Sequence, residues 1–161
     1  MVHAMVLSRL DYCNVVFHGL NLRDIARLQK VQNSAARFIF GRGKRSHVTE
    51  LLKKVHFLPV MYRVSFKIAL LVFKCLNNMA PQYLSNLVAP RNTKSNYLRA
   101  DNDFFILEVP PTPCRVSTER AFIHSAPKVW NALPYEVRSA STVAIFKSAL
   151  KTHYFKQAFA L

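Results

Sequence analysis

"VMYRVSFKIALLVFKCLNN", residues 60–78, is the stretch that decides the fold. Its apolar residues recur at intervals of three and four, which is the spacing of one face of an α-helix. They are Met61, Val64, Ile68, Leu71, Val72, Cys75 and Leu76. Because so much of the stretch is apolar, we expect it to form the central helix of the protein.

Helices on the N-terminal and C-terminal sides of this stretch are predicted from local signals. Asn21 marks the start of a helix, and Gly41 occupies the position just past its end. The predicted buried face of this helix consists of Leu22, Ile25, Leu28, Gln32, Ala35, Ala36 and Ile39. Ser46 is the expected cap of a short helix, "VTELLKKV", and Pro81 opens another, "PQYLSNLV".

The C-terminal third begins with "DFFILEV", a short apolar segment followed by prolines, which predicts an extended arm or an edge strand. Ser117 or Thr118 is expected to cap the next helix, in which Pro127 forces a kink or break because proline has no N–H to donate. A last helix starts at Ser141 or Thr142. Its apolar side consists of Val143, Phe146, Leu150 and Tyr154.

These patterns predict a mainly α fold: a single irregular helical domain of about six or seven helices, with one short extended or β segment near residues 103–109. Residues 1–89 form a helical basic region, 90–102 a polar loop, and 103–161 the extended arm with the C-terminal helices. A chain of 161 residues is long enough to bury roughly 65 to 70% of its extended surface.

The only tryptophan lies in "SAPKVWNALP", residues 125–134. Val129 and Leu133 give Trp130 apolar neighbours, and Pro127 bends the chain that holds it. A buried indole requires one partner for its N–H, which a backbone carbonyl can supply. We therefore predict that Trp130 and Pro127 are structural anchors and that Trp130 is not a ligand platform.

The charge balance is the first indication of function. The formal net charge is +15 and the isoelectric point is near 10.3, with only 8 acidic residues. Positive charges in such excess repel one another unless a polyanion is near, and nucleic acid is the polyanion that we expect. A membrane-surface protein or a ribosomal-type protein shares this balance, so the charge defines only a class of partner.

Basic residues concentrate in residues 37–67, where Glu50 is the only acid. Phosphate contacts require positive charge and donors without strict geometry, so this cluster suits a nucleic-acid backbone better than a merely solvated surface. The predicted nucleic-acid-binding residues are Arg37, Arg42, Lys44, Arg45, Lys53, Lys54, Arg63 and Lys67. Phe38, Phe40 and Tyr62 are interleaved with them and could stack on bases, but their helical positions favour the core.

Catalytic constellations are scarce. The one close acidic pair, Asp101 and Asp103, sits in a loop whose residues are typical turn formers. His47 and His56 flank a short helix without sharing a face, and no acid is placed to orient His124. No glycine-rich phosphate loop is present. We expect no enzymatic activity, no cofactor, no metal and no small-molecule substrate.

The cellular setting is predicted from the cysteines and the apolar runs. Cys13, Cys75 and Cys114 lack zinc-ligand spacing and are odd in number, which indicates reduced thiols. The apolar run between Lys67 and Lys74 is far shorter than a membrane span, and no signal peptide is recognisable. We expect an intracellular protein, nuclear and/or cytoplasmic, with no membrane partner.

Four blocks resemble a known family. They are "SRLDYCNVVFHGL", "LQKVQNSAARFIFG", "VHFLPVMYRVSFKIALLVFKCLNNMAPQYLSNLV" and "ERAFIHSAPKVWNALPYEVRSASTVAIFKSALKTHYF". Together they resemble the C-terminal region of the reverse transcriptase, an RNA-directed DNA polymerase, of non-LTR (LINE-type, jockey-like) retrotransposons. The resemblance covers residues 2–155, with the blocks in the family's order.

The resemblance implies a region downstream of the polymerase thumb that handles template RNA and target DNA during target-primed reverse transcription. The upstream polymerase domain is an implied partner, and its Asp-Asp metal motif is absent here.

The chain also departs from the family. Its first residues enter a helical pattern without an N-terminal cap, which fits a copy truncated upstream. Phe57 occupies a position where relatives often have Trp. Pro111 and Pro113 lie close to positions where the family is expected to have basic residues. A host-derived RNA- or DNA-binding module and a degenerate fragment without selected function are the alternatives.

Overall fold

The computed structural model describes residues 3–91, 106–111 and 120–160, with His3 described by its backbone alone. A π-helical turn, His3–Leu7, precedes the first α-helix, and a 3-10 turn, Asn14–Phe17, follows it. The α-helices are α1 Ser8–Asp11, α2 Leu22–Ile39, α3 Thr49–Lys54, α4 Val60–Leu76, α5 Gln82–Ser85, α6 Phe122–Asn131, α7 Tyr135–Arg138 and α8 Val143–Phe159. The mainly α prediction is confirmed. The described residues thus form eight α-helices, three of them single turns, compared with the six or seven expected.

The chain divides into two compact units. The first unit comprises Met1–Phe66 and Thr152–Leu161, and the second comprises Lys67–Lys151. The division falls within α4 and within α8. It follows contacts in space, whereas the predicted regions 1–89, 90–102 and 103–161 follow composition and stay a prediction.

The core of the first unit is formed by α2, α3 and the N-terminal turns. Its buried cluster consists of Leu7, Ala36, Val48, Leu51, Leu52 and Phe57, with Leu10, Val55 and Phe159 packed against it. The middle of the predicted α2 face is buried, including Gln32 and Ala35. The ends of that face, Leu22 and Ile39, are exposed instead. The helical period identifies a face correctly but does not show where burial stops along it.

Two glutamines of α2 fix the start of α4. Gln32 is fully buried, and its Nε2 donates a hydrogen bond to the Leu58 carbonyl at 2.8 Å. The Oε1 of Gln29 accepts the Val60 N–H at 2.9 Å, at a helix start where backbone donors have no partner within the helix. The hydrogen bond to Leu58 therefore explains why the polar residue Gln32 lies on the buried face of α2.

Side-chain caps decide where two of the longer helices begin. The Oδ1 of Asn21 accepts the backbone N–H three residues on, at 2.8 Å, which confirms the predicted start of α2. The Oγ1 of Thr142 does the same for α8 at 3.3 Å. The prediction for Ser46 is wrong, because α3 begins only at Thr49 and the Ser46 hydroxyl donates to the Gly43 carbonyl at 2.8 Å.

Aromatic rings form the centre of the second unit. Phe146 of α8 stacks on Phe73 of α4 with ring centroids 4.3 Å apart, and on Trp130 of α6 at 5.7 Å. Trp130 is only 1% exposed. This burial fits the anchor role predicted for Trp130.

Helix α6 runs through Pro127 without interruption, so the predicted break is wrong. Pro127 removes a single backbone hydrogen bond, and its ring is fully buried, which offsets part of that loss. The helix begins at Phe122, and the predicted caps Ser117 and Thr118 lie outside the described residues.

The predicted extended segment is described only from residue 106 onward. Leu107 forms an isolated antiparallel bridge with Pro90, and the described residues contain no longer strand. The side-chain amide of Asn131 donates to the Leu107 carbonyl and accepts its N–H, both at 2.9 Å. Asn131 thus replaces a neighbouring strand for this one residue.

Candidate nucleic-acid interface

The end of α2 is shaped by a glycine turn. Gly41 has φ +59°, a left-handed conformation that favours glycine. Its N–H donates to the Phe38 carbonyl at 3.2 Å, and the Arg42 N–H donates to the Arg37 carbonyl at 2.9 Å. This pair of bonds is a Schellman motif, which ends the helix and reverses the chain. The predicted role of Gly41 is confirmed.

The basic loop after Gly41 folds back on the last turn of α2. The Nε of Arg37 donates to the Ser46 carbonyl at 3.2 Å, so this half-buried guanidinium holds the far end of the loop. Between these two points Arg42, Lys44 and Arg45 are all exposed. We name these three residues the cationic loop. It places three unshielded charges beside one helix end.

The structure places the other predicted site residues in different settings. Arg63 is occupied, since its Nε donates to Asp11 Oδ1 at 2.8 Å and its Nη2 to Asp11 Oδ2. Lys53 pairs with Glu50 at 3.2 Å and lies 5.8 Å from the centroid of the Phe159 ring. Lys54 is exposed at the end of α3. Lys67 belongs to the second unit, whereas the other seven belong to the first.

The described acidic residues of the first unit are all neutralised. In this described part, Asp11 pairs with Arg63, Asp24 with Arg27 at 3.3 Å, and Glu50 with Lys53. The basic residues left there without a carboxylate are Arg9, Arg23, Lys30, Arg37, Arg42, Lys44, Arg45, Lys54 and Lys156. Their positive charge is therefore uncompensated within the described first unit.

The aromatic residues among these charges separate into two settings. Tyr62 contacts Tyr154 with ring centroids 5.9 Å apart, as expected of a residue next to the core. Phe38 is 77% exposed, so the expectation that it belongs to the core is wrong. Phe38 lies one turn beyond the buried Ala35, where the buried stripe of α2 has ended. Phe40 is also partly exposed.

An apolar groove lies between the π-helical turn and α2. Its volume is about 680 Å³. It is lined by Met5, Val6, Lys30, Val31, Ser34, Ala35 and Phe38. No sequence pattern indicates this groove, because it depends on how the first residues pack against a helix that starts fifteen residues later. Lys30 is the one cation in its lining, and sequence reasoning missed it for the same reason.

The described residues hold no group of three His, Cys, Asp or Glu side chains that could bind a metal ion. His47 is exposed, and His56 stacks on Phe155 with centroids 5.7 Å apart. His124 is buried in α6. Asp101, Asp103 and Cys114 lie outside the described residues.

Burial shifts the pKa of three described side chains. Burial raises the pKa of the Cys75 thiol, which a hydrogen bond with Ser85 partly counteracts. Burial also raises the pKa of Tyr154 well above its usual range, against a smaller lowering by Ser65. The pKa of His153 is lowered by burial. Each shift reflects desolvation of a single side chain.

Comparison with protein-family models, with curated proteins and with solved structures found no match to this chain. Within the described residues, no helix has both the length and the apolar character needed to cross a membrane.

Proposed function

We propose that this chain is a non-catalytic nucleic-acid-binding region of the kind that follows the polymerase domain in non-LTR retrotransposon reverse transcriptases. Its cationic loop contacts the phosphate backbone of RNA or DNA in support of target-primed reverse transcription. The four sequence blocks support the family assignment. The charge arrangement of the first unit supports the binding role.

The observation that carries the proposal is the complete pairing of acids in the described part of the first unit. Asp11, Asp24 and Glu50 each have a basic partner, so none of them is available to neutralise the cationic loop. Like charges held together on a folded surface repel each other and attract polyanions. Phosphates would replace the missing carboxylates.

The structure ranks the predicted contact residues by availability. Arg42, Lys44, Arg45 and Lys54 are exposed and unpaired among the described residues, so they are the direct contacts. Arg37 holds the loop through Ser46 and acts mainly as a positioning residue. The ion-paired residues contribute through the fold of the first unit. This binding needs neither a cofactor nor a small-molecule substrate. The location that we propose with it is the nucleus or the cytoplasm.

Salt dependence of binding is the direct test. A labelled RNA or DNA duplex is titrated with the purified chain between about 50 and 200 mM salt. For contacts to about six phosphates on duplex DNA, log affinity should fall with log salt at a slope of roughly −5. Replacing Arg42, Lys44 and Arg45 together by Ala should reduce the size of that slope by about 3, roughly one for each lost phosphate contact.

The matched control removes two exposed lysines of α8, Lys147→Ala with Lys151→Ala, which lie in the second unit. We expect the control to retain most of the wild-type slope. A flat salt response of the wild type, or an equal loss per charge in the control and the loop variant, would contradict the proposed site. Magnesium-dependent primer extension by the purified chain would contradict its non-catalytic character.

A further inference from the structure

Phe38 has an unusual position for a phenylalanine. It lies in the last turn of α2 and is 77% exposed, although burying such a side chain would stabilise the fold. Its backbone carbonyl accepts the Gly41 N–H, so the turn that begins the cationic loop is bonded directly to this residue. An exposed aromatic ring is thus attached to the start of a cationic segment.

The apolar groove continues from Phe38 along α2. Phe38, Ala35 and Val31 line it at the three-and-four spacing of one helix face, and Met5 lines it from the π-helical turn. Lys30 adds one ammonium group to the lining. The ring of Phe38, the apolar groove and the cationic loop, which follows Phe38 in the chain, together match the chemistry of a nucleotide, which has a flat base and an anionic phosphate.

We propose that Phe38 is a stacking platform for unpaired bases and that the interface therefore prefers single-stranded nucleic acid over duplex. The inference rests on the proposed function and names its ligand class. In a duplex each base already stacks on its neighbours, so the ring gains nothing there. In a single strand a base can stack on Phe38 while its phosphates contact the cationic loop.

Charge complementarity selects this occupant for the groove. The exposed charges that follow Phe38 in the chain, those of Arg42, Lys44 and Arg45, are all positive, and the acid of α2, Asp24, is already paired with Arg27. Stacking requires only the face of a ring, so the apolar lining is no obstacle to a base. Binding by this route tolerates any base sequence.

The test compares a single-stranded oligonucleotide, oligo(dT) or oligo(U), with a duplex of equal length at fixed salt. Wild type should bind the single strand more tightly. Phe38→Ala should weaken single-strand binding about 10-fold and leave duplex binding unchanged. Tyr12→Ala is the matched control, because Tyr12 is an aromatic of the first unit with 78% exposure. The control should bind both probes as wild type does.

A second variant gives a signal that a structural role would not produce. Phe38→Trp should retain single-strand binding, and its indole fluorescence should be quenched when oligo(dT) is added, because the base stacks on the ring. The native Trp130 is 1% exposed and shielded from such contact. Quenching by oligo(dT) but not by duplex supports the platform.

The outcomes separate this inference from the proposed function. If wild type binds both probes with a steep salt dependence, and Phe38→Ala changes neither or weakens both equally, the platform is refuted and the polyanion site stands. If wild type binds neither probe in a salt-dependent way, the proposed function fails and the platform fails with it. Absence of quenching in the Phe38→Trp variant at saturating oligo(dT) also refutes the platform.

Discussion

Trp130 shows what a single side chain contributes to the second unit. Its ring stacks on Phe146, which in turn stacks on Phe73, so three helices meet through one series of aromatic contacts. Stacked aromatic pairs are stabilised beyond the area that they bury. Removing the first ring of the series leaves a cavity beside Phe146, and close-packed neighbours fill such a cavity only in part.

We predict that Trp130→Ala lowers the free energy of unfolding by about 3 to 5 kcal/mol, as measured by urea denaturation. Phe38→Ala is the control. It also truncates an aromatic side chain, but one that is largely exposed, and should change the free energy of unfolding by less than about 0.5 kcal/mol. Loss of nucleic-acid binding by Trp130→Ala at unchanged stability would contradict the anchor role.

The ion pairs show which residue-level features the sequence can and cannot reveal. Glu50 and Lys53 are three residues apart on one helix, a spacing at which a pair is expected. Asp11 and Arg63 are separated by 52 positions, and only the packed first unit brings them together. The predicted binding set therefore contained the cationic loop but also cations whose charge the fold neutralises.

At the scale of elements, the end of α2 decides where the cationic loop begins. Gly41 has φ +59°, a conformation that costs a residue with a Cβ about 1 to 2 kcal/mol, although no atom within 4 Å would contact the added methyl group. We predict that Gly41→Ala lowers the free energy of unfolding by about 1 to 2 kcal/mol, as measured by chemical denaturation.

Gly43→Ala provides the matched control in the same loop. A methyl group added at Gly43 would likewise meet no atom within 4 Å, and the φ of Gly43 is outside the positive range. The control should therefore leave stability within about 0.5 kcal/mol of wild type. Equal effects of the two substitutions would show that the positive φ of Gly41 is not the source of the cost.

Periodicity predicted the elements better than their ends. Val64, Ile68 and Val72 of α4 are buried as the spacing indicates, but Met61 of the same predicted face is exposed. The spacing of apolar residues is a local property, whereas burial at the end of a helix depends on which distant segment covers it. For this reason the helical position of Phe38 predicts a core residue, whereas Phe38 is an exposed aromatic residue of the candidate interface.

At the scale of the whole molecule, the net charge of +15 opposes folding. Folding brings like charges closer together than they are in the extended chain, and the three described acids of the first unit offset only their own partners. Salt weakens such repulsion once the screening length, about 10 Å at 0.1 M, is comparable to the distances between charges.

We predict that the melting temperature rises as NaCl is increased from about 20 to about 200 mM, since screening relieves repulsion in the folded state most. Heparin, a polyanion, should raise it further by binding the folded surface, with about 2.7 kcal/mol of stabilisation at a hundred times its dissociation constant. The triple variant of Arg42, Lys44 and Arg45 to Ala should gain less from heparin than the Lys147 and Lys151 variant does. A melting temperature that is insensitive to both additives would mean that the uncompensated charge of the first unit neither destabilises the fold nor recruits a polyanion.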